Sequence, residues 1–223
     1  LRIRDPMRHL LLGLIEFREH NLPLYAERFR ELSAGQEPDT LFITCADSRV
    51  APNLLASTEP GELFTMRNVG NLMPPAHADG ISSGDLSEAS AVEYAVTVLK
   101  VKNIIVCGHS NCGAMRAVIA GSHLDDAPNL ERWLDHARPA WARLPRKEVT
   151  DLEPHDRLSQ ENVLLQLEHL ETYPAVRRAL AAGALTLGGW WFDIATGEVH
   201  VHDKANGRFV VVDRESLDRL AQS

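Results

Sequence analysis

Two short stretches of this chain carry residues that can do chemistry together: Cys45-Ala46-Asp47-Ser48-Arg49 and Cys107-Gly108-His109-Ser110-Asn111-Cys112-Gly113. Each follows an apolar run, residues 41–44 and 104–106, and each leads into a helix-like pattern. In a parallel α/β sheet the ligand-binding loops gather at the strand ends. If the two strands are neighbours, Cys45, His109 and Cys112 converge on one point. Two thiolates and one imidazole are a donor set that zinc takes at catalytic sites, where the fourth position stays open for water or substrate. A closed structural site would want a fourth Cys or His. The one other cysteine, Cys107, lies within the apolar strand, and its side chain is expected to point elsewhere.

Zinc held by two thiolates and a neutral imidazole carries no net charge, so its water is less acidic than on zinc held by three histidines, where the pKa is about 7. Something beside the metal has to favour hydroxide. Asp47, two residues after the first ligand, is placed to accept a hydrogen bond from it, and Arg49 is placed to hold that carboxylate ionised through a two-point pair. The reaction this suggests is attack of zinc-bound hydroxide on a small electrophile.

The elements that must position these residues follow from periodicity and turn signals. Helical spacing of Leu10, Leu11, Leu14, Ile15 and Phe17 predicts a helix over 5–20, with a second over 23–32. These two either cap their own sheet or form an arm on a second subunit, and the arm is preferred because the core after them looks complete. Strands are expected at 41–44, 63–67, 103–107, 185–192, 198–202 and 209–212, and helices at 50–57, 86–99, from 113, 130–143, 163–170, 173–182 and 214–220. Loops are expected at 74–84 and 122–129, and a polar segment at 145–156. The pattern is that of an α/β fold: a mainly parallel central sheet flanked by helices, with an N-terminal arm at 1–33 and a catalytic domain at 34–223.

Composition sets the outer bounds. A chain of 223 residues can bury one sizeable core. With 23 basic against 31 acidic residues and a formal charge of -8, it suits neither nucleic acid nor an anionic membrane surface. No run of about 18 apolar residues is present to span a membrane. Three cysteines, an odd number, do not make a disulfide framework, which points to a reducing cytoplasm.

The motifs also carry a resemblance. Cys-Ala-Asp-Ser-Arg and His-Ser-Asn-Cys-Gly, with Arg67-Asn68-Val69-Gly70-Asn71 and Glu93-Tyr94-Ala95 between them, resemble the β-class carbonic anhydrases. The resemblance implies one zinc ion per subunit on Cys45, His109 and Cys112, with Asp47 and Arg49 as the catalytic pair. It implies hydration of carbon dioxide to bicarbonate and a proton. It also implies a homodimer at least, or a tetramer or octamer, with the active site at the dimer interface. Gln36 would donate to substrate from the other subunit, Phe64, Val69 and Tyr94 would line an apolar substrate pocket, and Gly113 would offer a backbone amide. Some bacterial members hold bicarbonate in a second, non-catalytic pocket built from a tryptophan, an arginine and a tyrosine. Those positions correspond here to Phe42, Arg67 and Phe192, which implies the plant-type subgroup without that pocket.

Plainer readings exist for each residue. A lone cysteine after a strand is a small buried hydrophobe, an Asp-x-Arg pair can serve a turn, and Gln36 can be a solvated loop residue. His77, His123, His155, His200 and His202 read as surface residues. Two rival functions share the scaffold: hydrolysis of carbon disulfide or carbonyl sulfide, and a non-catalytic zinc/thiol sensor. The Asp47–Arg49 pair argues against the sensor, which needs no carboxylate beside an open metal position.

Overall fold

A computed structural model describes residues 5–121, 125–145 and 151–221. The expected loop at 122–129, the polar segment at 145–156 and His123 therefore lie partly or wholly outside the described residues. The chain divides into two compact units, one ending at Glu37 and the other beginning at Pro38.

The first unit is helical. Asp5 caps α1 (Pro6–Glu16), its carboxylate accepting from the Met7 and Arg8 amides, with Pro6 in the first turn where its missing N–H costs nothing. A π-helical turn, Phe17–Asn21, runs straight into α2 (Leu22–Leu32), which has Pro23 in its first turn. No residue of α1 or α2 is buried, and Leu10 and Leu14 are 63% and 66% exposed.

The second unit is a six-stranded sheet flanked by helices. After β1 (Thr40–Cys45) come α3 (Pro52–Leu55), β2 (Leu63–Asn68), α4 (Leu86–Glu93) with a π-helical extension Tyr94–Leu99, and β3 (Asn103–His109). Then follow α5 (Gly113–Ala120), α6 (Pro128–Leu134), α7 (Arg138–Arg143), α8 (Pro154–Glu171) and α9 (Pro174–Ala181). The chain closes with β4 (Thr186–Asp193), β5 (Glu198–Asp203), β6 (Arg208–Val211) and α10 (Leu217–Ala221). The strand order is β2-β1-β3-β4-β5-β6; β1 to β4 are parallel, and β5 and β6 return antiparallel.

Two expected elements differ. The helix foreseen over 130–143 is broken into α6 and α7, because Pro139 cannot continue a helix begun upstream and instead sits in the first turn of a new one. The helix foreseen over 163–170 begins at Pro154, so α8 reaches 18 residues and passes behind β3 and β4. It packs close to the sheet because glycine faces it. A Cβ at Gly108 would stand 2.8 Å from Val163 Cγ2, and one at Gly189 would stand 3.0 Å from Val163 Cγ1.

One core layer lies between the sheet and the helices: Leu41, Ile43, Ile104 and Val106 from β1 and β3 meet Val163, Leu170, Tyr173 and Val176. Burying each such aliphatic side chain contributes about 1.5–3 kcal/mol relative to leaving it in water. Alternation along the strands puts Phe42 and Cys107 in a separate cluster with Val50 and Phe192.

Candidate active site

The site forms at the C-terminal ends of β1 and β3, adjacent parallel strands from which the chain departs in opposite directions, to β2 and to β4. That is the position where open α/β sheets bind ligands. Cys45 is the last residue of β1 and His109 the last of β3. Asn111, held at φ 55°, turns the chain so that Cys112 becomes the N-cap of α5. The ligand atoms of Cys45, His109 and Cys112 all lie within 4.8 Å of one another, and all three residues are buried. Among the described residues no other group of histidines, cysteines and carboxylates converges in this way. Cys107 stays apart, as expected. It pairs in register with Thr44, so both face the side of the sheet opposite Cys45.

The residues fit a metal ion. His109 Nδ1 lies 2.8 Å from the Ser110 carbonyl, which fixes that nitrogen as the donor and leaves Nε2 with a free lone pair. Nε2 is buried without any hydrogen-bond partner. An orphaned ring nitrogen costs about 1–3 kcal/mol, and a cation shared with two sulfurs accounts for it. The Gly70 amide donates to Cys45 Sγ at 3.3 Å.

The electrostatics of the cluster agree. The Cys45 thiol is held down to about 4, first by the hydrogen bond from Cys112, then by His109 and the Gly70 amide, against the upward push of burial. Cys112, which makes that hydrogen bond, is pushed up because a second bare sulfur beside the first is unfavourable in a buried place. Burial presses His109 downward, but the Cys45 sulfur beside it turns the net direction upward. A site that keeps one thiolate and resists a second waits for positive charge, and cation binding would release the remaining proton. Cys107 differs: full burial pushes its thiol up to about 12.

Asp47 and Arg49 form the expected pair. Arg49 Nε donates to Asp47 Oδ1 at 2.9 Å and Nη2 to Oδ2 at 2.7 Å, and the Arg49 amide adds a third bond at 3.0 Å. Hydrogen bonding from Arg49 holds the Asp47 carboxyl well below the usual carboxylate range. Asp47 Oδ2 lies 3.8 Å from His109 Nε2, at the edge of the cluster. Arg67 is committed elsewhere, Nε to the Cys45 carbonyl at 3.2 Å and Nη2 to the Asp47 carbonyl at 2.8 Å.

The remaining expected residues divide into two groups. Val69 and Gly113 stand at the site end of the sheet: Val69 follows β2, is exposed, and has its carbonyl held by Trp133 Nε1 at 2.8 Å, while Gly113 opens α5. Val69 borders a cleft of ≈ 1260 Å³, lined also by Ala46, Asn68, Trp133 and His136. Phe64 lies elsewhere. It pairs with Leu41 near the start of β2, four residues before the Cys45–Asn68 level, which at about 3.3 Å per residue is roughly 13 Å away along the strands. Its ring packs on Tyr94, centroids 5.9 Å apart. Gln36 belongs to the N-terminal unit.

Four polar residues of α8 also act on the site, and the periodicity of apolar residues did not single them out. Asp156 accepts from the Asn111 amide at 2.6 Å, Ser159 donates to the His109 carbonyl at 2.8 Å, Asn162 donates to the Gly70 carbonyl at 3.1 Å, and Gln166 accepts from the Met73 amide at 2.8 Å. The available signal was a polar stripe at spacings of three and four along a helix that is otherwise apolar at Leu158, Val163, Leu167 and Leu170.

Comparison with known proteins gives a concordant picture. A family model described as "Carbonic anhydrase" matches residues 40–199. A carbonic anhydrase of Pseudomonas aeruginosa is 43% identical over 205 residues, covering 92% of this chain and 91% of that protein. Among solved structures, the β-carbonic anhydrase CcaA superposes with a TM-score of 0.85 at 39% identity, over 93% of this chain and 100% of that one. One of two tetrameric β-carbonic anhydrases from Sordaria macrospora superposes at 0.72 with 28% identity, over 87% and 95%.

Proposed function

The chain belongs to the β-class carbonic anhydrases, and from that premise we propose that its site hydrates carbon dioxide reversibly to bicarbonate and a proton, using zinc held by Cys45 Sγ, His109 Nε2 and Cys112 Sγ. The observation that carries this reading is the unpartnered, buried His109 Nε2 between two sulfurs, with Asp47 at its edge. Zinc bound there would supply Lewis acidity, which would lower the pKa of water toward neutral pH.

The chain's own residues do the rest. Asp47 accepts a hydrogen bond from the attacking oxygen and turns its lone pair toward the carbon of carbon dioxide. Arg49 keeps that carboxylate ionised and still, so it accepts and does not donate. As the carbon–oxygen bond forms, one C=O bond of the substrate becomes a single bond bearing negative charge. The Gly113 amide, at the N-terminus of α5, favours charge there. Val69 offers an apolar wall that suits an uncharged substrate. A thiol sensor would leave the Asp47–Arg49 pair without a task.

The active protein is a homodimer or a larger assembly, as the Sordaria enzymes are. Helix α1 exposes Leu10, Leu11, Leu14 and Ile15 in a stripe that water does not favour, α2 exposes Leu24 and Phe29, and the two serve as an arm on a second subunit. β2 is an edge strand, and Phe64 with Tyr94 lies at the end of it remote from its own metal cluster. This pair completes the substrate pocket of the partner. No helix among the described residues is long and apolar enough to cross a membrane. The three cysteines are free and buried, which suits a reducing cytoplasm.

Stopped-flow measurement of carbon dioxide hydration with a pH indicator, on zinc-loaded protein, tests the assignment. A rate far above the buffer blank and proportional to bound zinc is expected. Folded, zinc-replete protein no faster than buffer would overturn it.

A further inference from the structure

Helix α8 has no residue among the metal-binding atoms, yet it buries a row of polar side chains against the end of β3, which carries His109, and against the loop after β2, which supplies the Gly70 amide. Ser159, Asn162 and Gln166 are each at most 1% exposed. Burying an amide is unfavourable unless its hydrogen bonds are made, and here they are. Asn162 Nδ2 donates to the Gly70 carbonyl at 3.1 Å, while Asn162 Oδ1 accepts from Gln166 Nε2 at 2.8 Å. Gln166 Oε1 in turn accepts from the Met73 amide. Asn162 is therefore fixed in orientation by its neighbour one turn on, with its amino group turned to Gly70.

Gly70 is the residue whose own N–H points at Cys45 Sγ, at 3.3 Å. Its backbone is held at φ 83°, and a Cβ there would stand 3.0 Å from the Ala114 Cβ, so this position accepts little but glycine. Such a conformation is open to a glycine but not imposed by it. The Gly70 N–H lies in the Val69–Gly70 peptide, whose carbonyl Trp133 Nε1 holds at 2.8 Å, and glycine's freedom would still let the chain turn about Gly70 unless the following peptide were held too. That second anchor is Asn162, on the Gly70 carbonyl, 92 residues away in sequence.

We propose that Asn162 is a positioning residue for the metal centre: by holding the Gly70 carbonyl it keeps the Gly70 N–H on the Cys45 sulfur and so sets how strongly that sulfur binds the metal. This deepens the zinc reading of the Cys45, His109 and Cys112 site and rests on it. A hydrogen bond to a ligating thiolate withdraws electron density from sulfur and fixes the direction of its lone pairs. Outer partners of metal ligands commonly change metal affinity by about 10- to 100-fold.

The test uses the full-length protein with cadmium-113 in place of zinc and nitrogen-15 labelling. Coupling between the Gly70 amide proton and cadmium, transmitted through the hydrogen bond to sulfur, is expected in the unaltered protein. It should be lost or greatly reduced in Asn162→Asp, which keeps the shape but removes the donor, and in Asn162→Leu. Chelator competition should show metal leaving these variants about 10-fold faster. Thr172→Val is the control: Thr172 caps the end of the same helix and anchors the Ala76 amide through a partly buried bond. It should lower stability while leaving coupling and metal release unchanged. Absence of the Gly70 coupling in the unaltered protein would overturn the proposal without any variant. Asn162 variants matching the Thr172 control in both readouts would overturn it too. Failure of the protein to bind cadmium or zinc at all would instead remove the metal site itself.

Discussion

Arg49 and Asp47 meet edge to edge, two guanidinium nitrogens on two carboxylate oxygens at 2.9 and 2.7 Å, and a further N–H of the same arginine reaches the Asn111 carbonyl at 3.1 Å. The arginine thus joins the loop after β1 to the loop that carries His109 and Cys112. Its role is to fix the carboxylate, so the two side chains should fail together. Asp47→Asn is expected to retain zinc and lower hydration by roughly 100-fold or more, within the range of a positioned proton acceptor. Arg49→Ala should do similar damage, and the double variant should be little worse than either. Steady-state rates for the three proteins check this, and additive losses would show separate roles.

The metal ligands and the third cysteine should separate cleanly. Cys45→Ser, His109→Asn and Cys112→Ser each remove one of three protein ligands and should lose both zinc and activity. Cys107→Ser should keep both, because Cys107 faces the side of the sheet opposite Cys45, in the cluster with Phe42 and Val50. Zinc content by atomic absorption alongside the rate decides it; a Cys112→Ser protein with full zinc and normal rate would exclude the ligand set.

Activity against pH should follow one simple ionisation. The Asp47 carboxyl is depressed, so its pair with Arg49 is complete above the ordinary carboxylate pKa of about 3.9 and is lost only as pH falls through the lower folded value. Between about pH 6.5 and 9 the pair therefore stays closed and contributes no titration of its own. At the positions that the resemblance assigns to a second bicarbonate pocket, the arginine is present as Arg67, while phenylalanines stand for the tryptophan and the tyrosine. Phe42 is buried against Trp190, ring centroids 5.7 Å apart, Arg67 is bound to two carbonyls, and Phe192 packs in the same apolar cluster as Phe42. The nearby indole of Trp191 is engaged with Ser159. Neither phenylalanine can donate a hydrogen bond to an anion. Hydration rates over that pH range, with and without added bicarbonate, should show product inhibition alone. A steep, cooperative loss below about pH 8, deepened by bicarbonate, would show that Asp47 can leave Arg49 after all.

Removal of residues 1–30 should give aggregated or inactive protein, since α1 and α2 present apolar faces for a second subunit. Sedimentation and hydration assays on the truncated chain check it, and a monomeric, active product would refute the arm.

The converging cysteines and histidine, the carboxylate–arginine pair and nearly every strand were legible in the sequence because each is local: a cysteine closing an apolar run, Asp-x-Arg beside it, His-x-x-Cys after the next apolar run. The reach of α8 was not legible. Its bonds join Ser159 to His109, Asn162 to Gly70 and Gln166 to Met73, across 50, 92 and 93 residues, and no window of sequence displays such pairings. The break between α6 and α7 was visible in principle at Pro139, but the apolar period around Trp133 and Trp141 hid it. Phe64 and Tyr94 were recognisable as apolar, while their distance from the cluster depended on the register of β2 against β1.

The parallel pairing of β1 with β3 and of β3 with β4 bears on how the chain folds in time. Thr44 and Cys107, joined by a hydrogen bond, are 63 residues apart, and the Ser110 hydroxyl reaches Asp193 over 83. Closing such loops before any contact repays the entropy is slow. The three ligands cannot meet until this closure is done, so the ion joins a finished sheet and has no part in nucleating it. Refolding of the metal-free chain should therefore proceed at the same rate with or without zinc in the buffer, zinc acting afterwards by slowing escape from the native state.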